Sequence, residues 1–413
     1  MNYSNKIVKF VFLLSLIMFL TGLVASKALI SIGSVGIFMS GIVSYWVFKN
    51  PRSLQLSLLT GYGLLALMPL ISGIWSENTQ AWLDSIANKI MLPFLAIGML
   101  WSPALNRREV HFLILFQIST VLAASLYSIG AYLYLPFDIN KTYLTAKTLP
   151  VLLNNDHLHF SLYVFITIVL IYNYRHLFYD PVYRILRFVL FGAGAWFVIY
   201  LHILGAKTGL IFLYLGVAII FFSNDFIKTN KYKKWLIIPA LVVAFSIAYK
   251  FIPSFYNRFH YTRYDFNQYI HGEYVNGLTD GARVLSWKAG IEIANINPLL
   301  GVGFGDMHYT FTKWHETNSA HLERYNWLQP SNEWLMYVCG AGLLGMLTLS
   351  LGLWMIYLKS SYVKSLPYYI LFLSQALMMW YEVNLNNQIG ISLFVFSLCS
   401  FALFDFSKSP KLT

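Results

Sequence analysis

PSFYNRFHYTRYDFNQYIHGEYVNGLTDGARVLSWKAGIEIANINPLLGVGFGDMHYTFTKWHETNSAHLERYNWLQPSN (253–332) is a polar, aromatic stretch in a chain that is otherwise almost continuous apolar sequence. It carries Arg258, Arg263, Arg283 and Arg324, the acids Asp265, Asp280, Asp306, Glu316 and Glu323, and the histidines His260, His271, His308, His315 and His321. On either side the chain reads as hydrophobic spans joined by short connectors. The reacting groups of any chemistry are therefore expected where this island folds back on a membrane surface.

The 413 residues are 58% hydrophobic and 11% charged, with a mean hydropathy of +0.59, which excludes an ordinary soluble enzyme. Apolar runs of this length satisfy their own backbone hydrogen bonds in lipid only as helices. The pattern predicts an all-α polytopic membrane protein of about twelve transmembrane helices: 9–26, 28–48, 54–74, 89–101, 110–135, 157–173, 185–205, 208–223, 235–252, 334–358, 366–382 and 387–405. The fourth is short enough to be tilted, broken or re-entrant. The first lacks a small-residue cleavage site and leads straight into the second, so no cleavable leader is expected.

A formal net charge of +12 suggests a nucleic-acid partner, but its distribution argues against one. With the N-terminus in the cytoplasm, seventeen basic residues fall inside: Lys6, Lys9, Lys49, Arg52, Arg107, Arg108, Arg175, Arg184, Arg187, Lys228, Lys231, Lys233, Lys234, Lys359, Lys364, Lys408 and Lys411. Leaving out the island, six lie on or near the other side. The basicity is a topology signal. It predicts one membrane domain over 1–413, both termini cytoplasmic, and the island 253–332 as a large periplasmic loop between the ninth and tenth spans. Cys339 and Cys399 both fall inside predicted spans, where buried thiols are inert packing groups.

Local patterns refine this picture. Residues 75–88 (WSENTQAWLDSIAN) alternate polar and apolar groups and predict an amphipathic surface helix. Residues 136–156 are long enough to lie over the membrane surface. The turn at 204–208 is so short that Lys207 sits at the membrane boundary, where a cation either snorkels to the interface or has a partner and a task. Turn chemistry marks 271–282. Apolar spacing over 283–296 (RVLSWKAGIEIANI) predicts a helix lying on the bilayer, opened by Arg283 and ended at Asn297-Pro298. Arginine suits a bidentate grip on phosphate; the alternatives for Arg283 are a lipid head group or a salt bridge.

GVGFGD (301–306) looks like a phosphate-binding glycine loop but lacks the strand and nucleotide-binding unit that such a loop needs, so it reads as a tight turn. Gly342 and Gly345 read as a close helix-packing pair. Glu333 stands where the island re-enters the membrane; it either handles a proton or a sugar hydroxyl, or favours a helix N-terminus. Glu382, with Asn384, Asn386, Asn387 and Gln388, lines a polar cavity or supplies buried hydrogen-bonding support. No histidine pair has zinc-ligand spacing and no Ser-His-Asp order stands out, so neither a metal nor a hydrolytic triad is expected.

These pieces together resemble the O-antigen ligase and O-antigen polymerase superfamily of bacterial membrane glycosyltransferases. The resemblance rests on the span count, the single large loop before the tenth span, and local motifs. SGIWSENTQAWLDSIANKI (72–90) is similar to the family's second-loop segment, and GAKTGL (205–210) to its Ser-Arg-x-Gly-like turn. ARVLSWKAGIEIANINPLLGVGFGD (282–306) is the strongest match. QPSNEWLMYVCGAGLLG (329–345) resembles the Pro-His-Asn-Glu signature, and EVNLNNQIGISLF (382–394) a motif late in the chain. Two positions depart: Lys207 replaces an arginine, and Ser331 replaces the histidine expected before Asn332. A serine hydroxyl cannot serve as a base near neutral pH, which turns attention to His321 or His315.

The resemblance implies glycan transfer from undecaprenyl diphosphate to an acceptor hydroxyl at the outer face of the bacterial inner membrane, with inversion and without metal or other cofactor. Arg283, Lys207, Glu333, Ser331 and His321 are the implied catalytic residues. Arg283 and Lys207, assisted by Arg258 or Arg263, are the implied diphosphate ligands. Lipid A-core is the first-choice acceptor, giving a ligase; a second lipid-linked glycan would give a polymerase. A lipid or oligosaccharide transporter is the non-enzymatic alternative, disfavoured because no internal repeat is evident.

Overall fold

The computed structural model describes residues 3–48, 55–135, 149–153, 156–175, 184–223, 237–271 and 278–404. The surface connector at 136–156 and the basic stretches at 228–234 and 408–411 lie wholly or largely outside them, as do 272–277 of the turn-rich 271–282. Sixteen α-helices run through the described residues. The first six are α1 Tyr3–Ala25, α2 Lys27–Phe48, α3 Leu56–Ile71, α4 Thr79–Lys89, α5 Met91–Leu100 and α6 Arg107–Tyr134. Then come α7 His157–Tyr174, α8 Arg184–Leu204, α9 Lys207–Phe222, α10 Ile237–Phe251 and α11 Pro253–Ile270. The rest are α12 Asp280–Ala294, α13 Met307–Asn318, α14 Glu333–Leu358, α15 Leu366–Met378 and α16 Gln388–Leu403.

Each of the twelve predicted spans coincides with a helix, and among the described residues eight helices are long and apolar enough to cross a bilayer. α9, α15 and α16 are apolar yet have 16, 13 and 16 residues. At about 1.5 Å per residue, these three are shorter than a core roughly 30 Å thick. α9 and α15 are cut short where the chain turns into polar loops, at Gly205 (φ 67°) and beyond Met378.

The predicted surface helix over 75–88 and the short fourth span also differ from expectation. α4 and α5 run together through Ile90, whose φ and ψ are helical, into one 22-residue apolar element. Pro93 brings no amide to the Lys89 carbonyl, which marks the join.

α16 is the hub. Every residue from Ile389 to Leu403 is buried, and it packs against α5, α7, α15 and α2. Its Ser392, Ser397 and Ser400 hydroxyls donate to carbonyls of their own helix, which makes an all-round buried helix possible. α3 and α14 form another extensive contact. Gly61 lies so close to α14 that a Cβ there would stand 2.8 Å from the Gly352 carbonyl oxygen.

The island supplies α11, α12 and α13. The helix predicted over 283–296 begins three residues earlier, at Asp280, and does not lie free on a bilayer. Its small buried face of Gly281, Ala282, Ser286, Ala289 and Gly290 packs on α14. A Cβ at Gly290 would meet Leu335 at 2.5 Å, and Cys339 Sγ donates to the Gly290 carbonyl at 3.2 Å. Both cysteines are buried and free.

The glycine-rich turn 301–306 has a specific partner. α14 is broken at Ala341 and Gly342, where Gly342 has φ 60° and ψ −153°. The break frees the Cys339 and Gly340 carbonyls, which accept from the Val302 and Gly303 amides at 2.8 and 3.1 Å. In return the Leu343 amide donates to the Pro298 carbonyl at 2.8 Å. Gly342 is thus a kink rather than half of a helix-packing pair, and the 298–303 segment fills it.

Candidate functional site

The site begins with a cap. Asp265 on α11 is fully buried, and its carboxylate accepts from the amides of Thr279, Asp280 and Gly281 at 2.9, 2.8 and 3.0 Å. These are orphan donors of the α12 N-terminus, and a carboxylate there also meets the positive end of the helix dipole. α11 therefore fixes the start of α12 and, one turn on, the direction of Arg283.

Arg283 Nη2 donates to Glu382 Oε2 at 2.7 Å, and its Nη1 lies 3.5 Å from Asp280 Oδ1. Asp280 Oδ2 in turn accepts from Lys207 Nζ, the first residue of α9. The chain Lys207–Asp280–Arg283–Glu382 ties together α9, α12 and the loop after α15. Arg258 on α11 stands beside it. Its guanidinium carbon lies 5.2 Å from the Tyr261 ring centroid, and its Nε and Nη1 are buried without hydrogen-bond partners among the described residues. Burial pushes the Arg258 guanidinium below its ordinary range, with Asp280 and Tyr261 opposing that and Arg283 adding to it. It stays charged all the same, because arginine starts so high.

Arg283 is the cation of this ion-pair chain that lines a cleft. The cleft encloses about 410 Å³ and is lined also by Thr279, Gln329, Pro330, Ser331, Met336, Glu382 and Asn386. Lys207 and Arg258 are not among its lining residues; Lys207 reaches Arg283 through Asp280. Arg263, the fourth predicted cation, is exposed on α11 and enters none of these ion pairs.

The other predicted residues fare differently. Glu333 is not presented to a substrate. It is fully buried, its Oε1 accepts from Lys89 Nζ at 2.7 Å and its Oε2 from the Leu385 amide at 2.9 Å. Its own amide donates to the Met379 carbonyl at 2.8 Å. Helix capping at this point falls to Asn332, whose side chain accepts from the Leu335 amide. Lys89 sits on the faces of Tyr337 (4.7 Å) and Phe304 (5.9 Å). A pair this deep is held only because hydrogen bonds satisfy both ends.

Ser331 is buried at the cleft wall. Its hydroxyl pairs with that of Ser286 at 3.1 Å, and its carbonyl accepts from Trp287 Nε1 at 3.1 Å. His321 is exposed and lines no part of the cleft. His315 is buried, with Nδ1 on Ser319 Oγ at 2.7 Å, Nε2 on the Leu328 carbonyl at 3.1 Å, and its ring stacked on Trp327. Burial lowers its pKa, and the Leu328 carbonyl partly restores it. Both nitrogens are committed, so it is a buttress under the 315–328 loop.

The glycine turn contributes a second clamp. Asp306 accepts from the Glu77 and Asn78 amides at 2.8 and 2.9 Å, while the Gly305 amide donates to Ser76 Oγ. The sequence reading missed Lys89 and the linking role of Asp280. For Lys89 a signal existed, since a lysine against the apolar run IMLPFL raises the same question as Lys207.

Residues 192–350 match the family model described as O-antigen ligase. The matched span includes Lys207, Arg258, Arg283 and Ser331 but neither Lys89 nor Glu382. The chain matches none of the curated proteins searched.

Proposed function

Since that match supports the O-antigen ligase and polymerase superfamily, we propose that the chain is a bacterial inner-membrane glycosyltransferase acting at the periplasmic face. The donor is a glycan on undecaprenyl diphosphate, and Arg283 lining the cleft is the observation that carries the reading. When the bond from the anomeric carbon to phosphate breaks, negative charge grows on the departing diphosphate. A cation already aimed at that oxygen lowers the barrier without reorganising. Glu382 and Asp280 hold part of the guanidinium, and its remaining N–H groups face the phosphate. Lys207 and Arg258 raise the positive potential, with Asp280 as the link. An acceptor hydroxyl attacking opposite the diphosphate inverts the anomeric centre, and the residues named supply the charge for this without a metal.

Ligase-type transfer to lipid A-core is the preferred acceptor reading, because the block 282–345 most resembles ligases. In turnover of purified lipid-linked glycan, Arg283→Ala should lose about 10²–10³-fold in kcat, and Lys207→Ala less, because it acts through Asp280. Near-normal rates for both variants would remove the basis of the assignment. Supplying lipid A-core and a second lipid-linked glycan separately, and sizing the products, separates ligase from polymerase.

A further inference from the structure

A second compartment adjoins the Arg283 cleft. This one encloses about 260 Å³ between α4 and the start of α13, and is lined by Ser85, Asn88 and His308 among others. It shares Gln329, Met336 and Asn386 with the first, so those three side chains form a common wall. The two compartments differ in charge. The first holds Arg283 and Glu382; no Lys, Arg, Asp or Glu lines the second among the described residues. Neutral amides and hydroxyls around a small cleft suit sugar hydroxyls and offer nothing to a second diphosphate.

Among the described residues His308 is the only histidine lining either compartment, and it is exposed. Ser331, His315 and His321 have been accounted for above, and none of them offers a free imidazole to the cleft. We infer that the second compartment is the acceptor subsite, binding a saccharide through its hydroxyls, and that His308 takes the proton from the attacking hydroxyl. The inference rests on the glycosyl-transfer reading. The acceptor oxygen forms its bond to the anomeric carbon as the bond from that carbon to the phosphate oxygen breaks. The electron pair leaves on the diphosphate beside Arg283, and the hydroxyl proton passes to the His308 ring.

The test uses the full chain in nanodiscs, undecaprenyl-diphosphate-linked glycan as donor, and lipid A-core or a second lipid-linked glycan as acceptor. His308→Gln should lower kcat by about 10²-fold or more with donor KM unchanged, the usual scale for a lost general base. Ser85→Trp, which fills the compartment, should raise acceptor KM about tenfold or more and leave donor KM within about twofold. A kcat for His308→Gln within about threefold of the parent, or equal effects of Ser85→Trp on both KM values, overturns the subsite while leaving the transferase intact. No transfer by the parent protein with either acceptor overturns the transferase reading, and the subsite with it.

Discussion

Lys89 and Glu333 show how a carboxylate expected to react can instead be drawn into a buried ion pair. Nothing local announces the pairing; the partners are 244 residues apart, and only the folded chain brings Nζ to 2.7 Å from Oε1. Removing one partner strands a buried charge. Lys89→Met should therefore destabilise the protein by about 3–5 kcal/mol, read as a fall in melting temperature in detergent. Adding Glu333→Leu should restore much of that loss, since an apolar pair of similar volume is tolerated at such sites. If the double variant melts no higher than the single one, the pair is more than a structural tie. Arg283 drew notice in the sequence as an arginine at the head of an amphipathic segment, and of the alternatives open there the structure shows the salt bridge, to Glu382. Ser331 was visible as an anomaly, and its hydrogen bond to Ser286 accounts for how a serine is accommodated there.

Among the elements, α12 was foreseen from its apolar spacing and from the Asn297-Pro298 stop. Its true start was missed because Asp265, which caps it, lies on another helix. Asp265→Ala leaves three amides, that of Gly281 buried and those of Thr279 and Asp280 partly so, without their acceptor. It should cost about 1–3 kcal/mol and speed amide exchange at 279–281; unchanged exchange there would mean that α12 does not depend on this cap. The kink in α14 was hidden for a different reason. Two glycines three apart read equally well as helix packing, and the backbone exchange with 298–303 depends on long-range register. Gly342 has φ 60°, and a Cβ there would stand 2.2 Å from Leu299. Gly342→Ala should lower stability by at least about 1–3 kcal/mol. Gly63→Ala on α3, where the new methyl meets open space, should leave melting unchanged or raised. Equal behaviour of the two would show that the kink tolerates a side chain.

For the molecule as a whole, hydropathy located twelve apolar segments, each of which coincides with a helix, and eight helices among the described residues have the length and composition to cross a bilayer. Composition does not register that α9 begins only after the Gly205 turn or that α15 stops at Met378, because hydropathy carries no backbone angles. The proposed orientation predicts that Arg263, exposed on α11, faces the periplasm. Arg263→Cys should react with a membrane-impermeant maleimide in intact spheroplasts, and the buried Cys339 and Cys399 should give little background. Labelling only in inverted vesicles would reverse the topology and remove the site from its proposed donor.

The exchange of backbone partners between 298–303 and the break in α14 also bears on the order of synthesis. Residues 298–303 leave the ribosome before the carbonyls of Cys339 and Gly340 that receive two of their amides. The clamp from Asp306 to the Glu77 and Asn78 amides joins the same segment to a helix made long before. The island therefore cannot reach its final shape until α14 has been threaded into the bilayer. Assembly of the Arg283 cleft is thereby coupled to completion of α14, so a chain stalled before α14 would display Arg283 without the cleft wall that Met336 supplies.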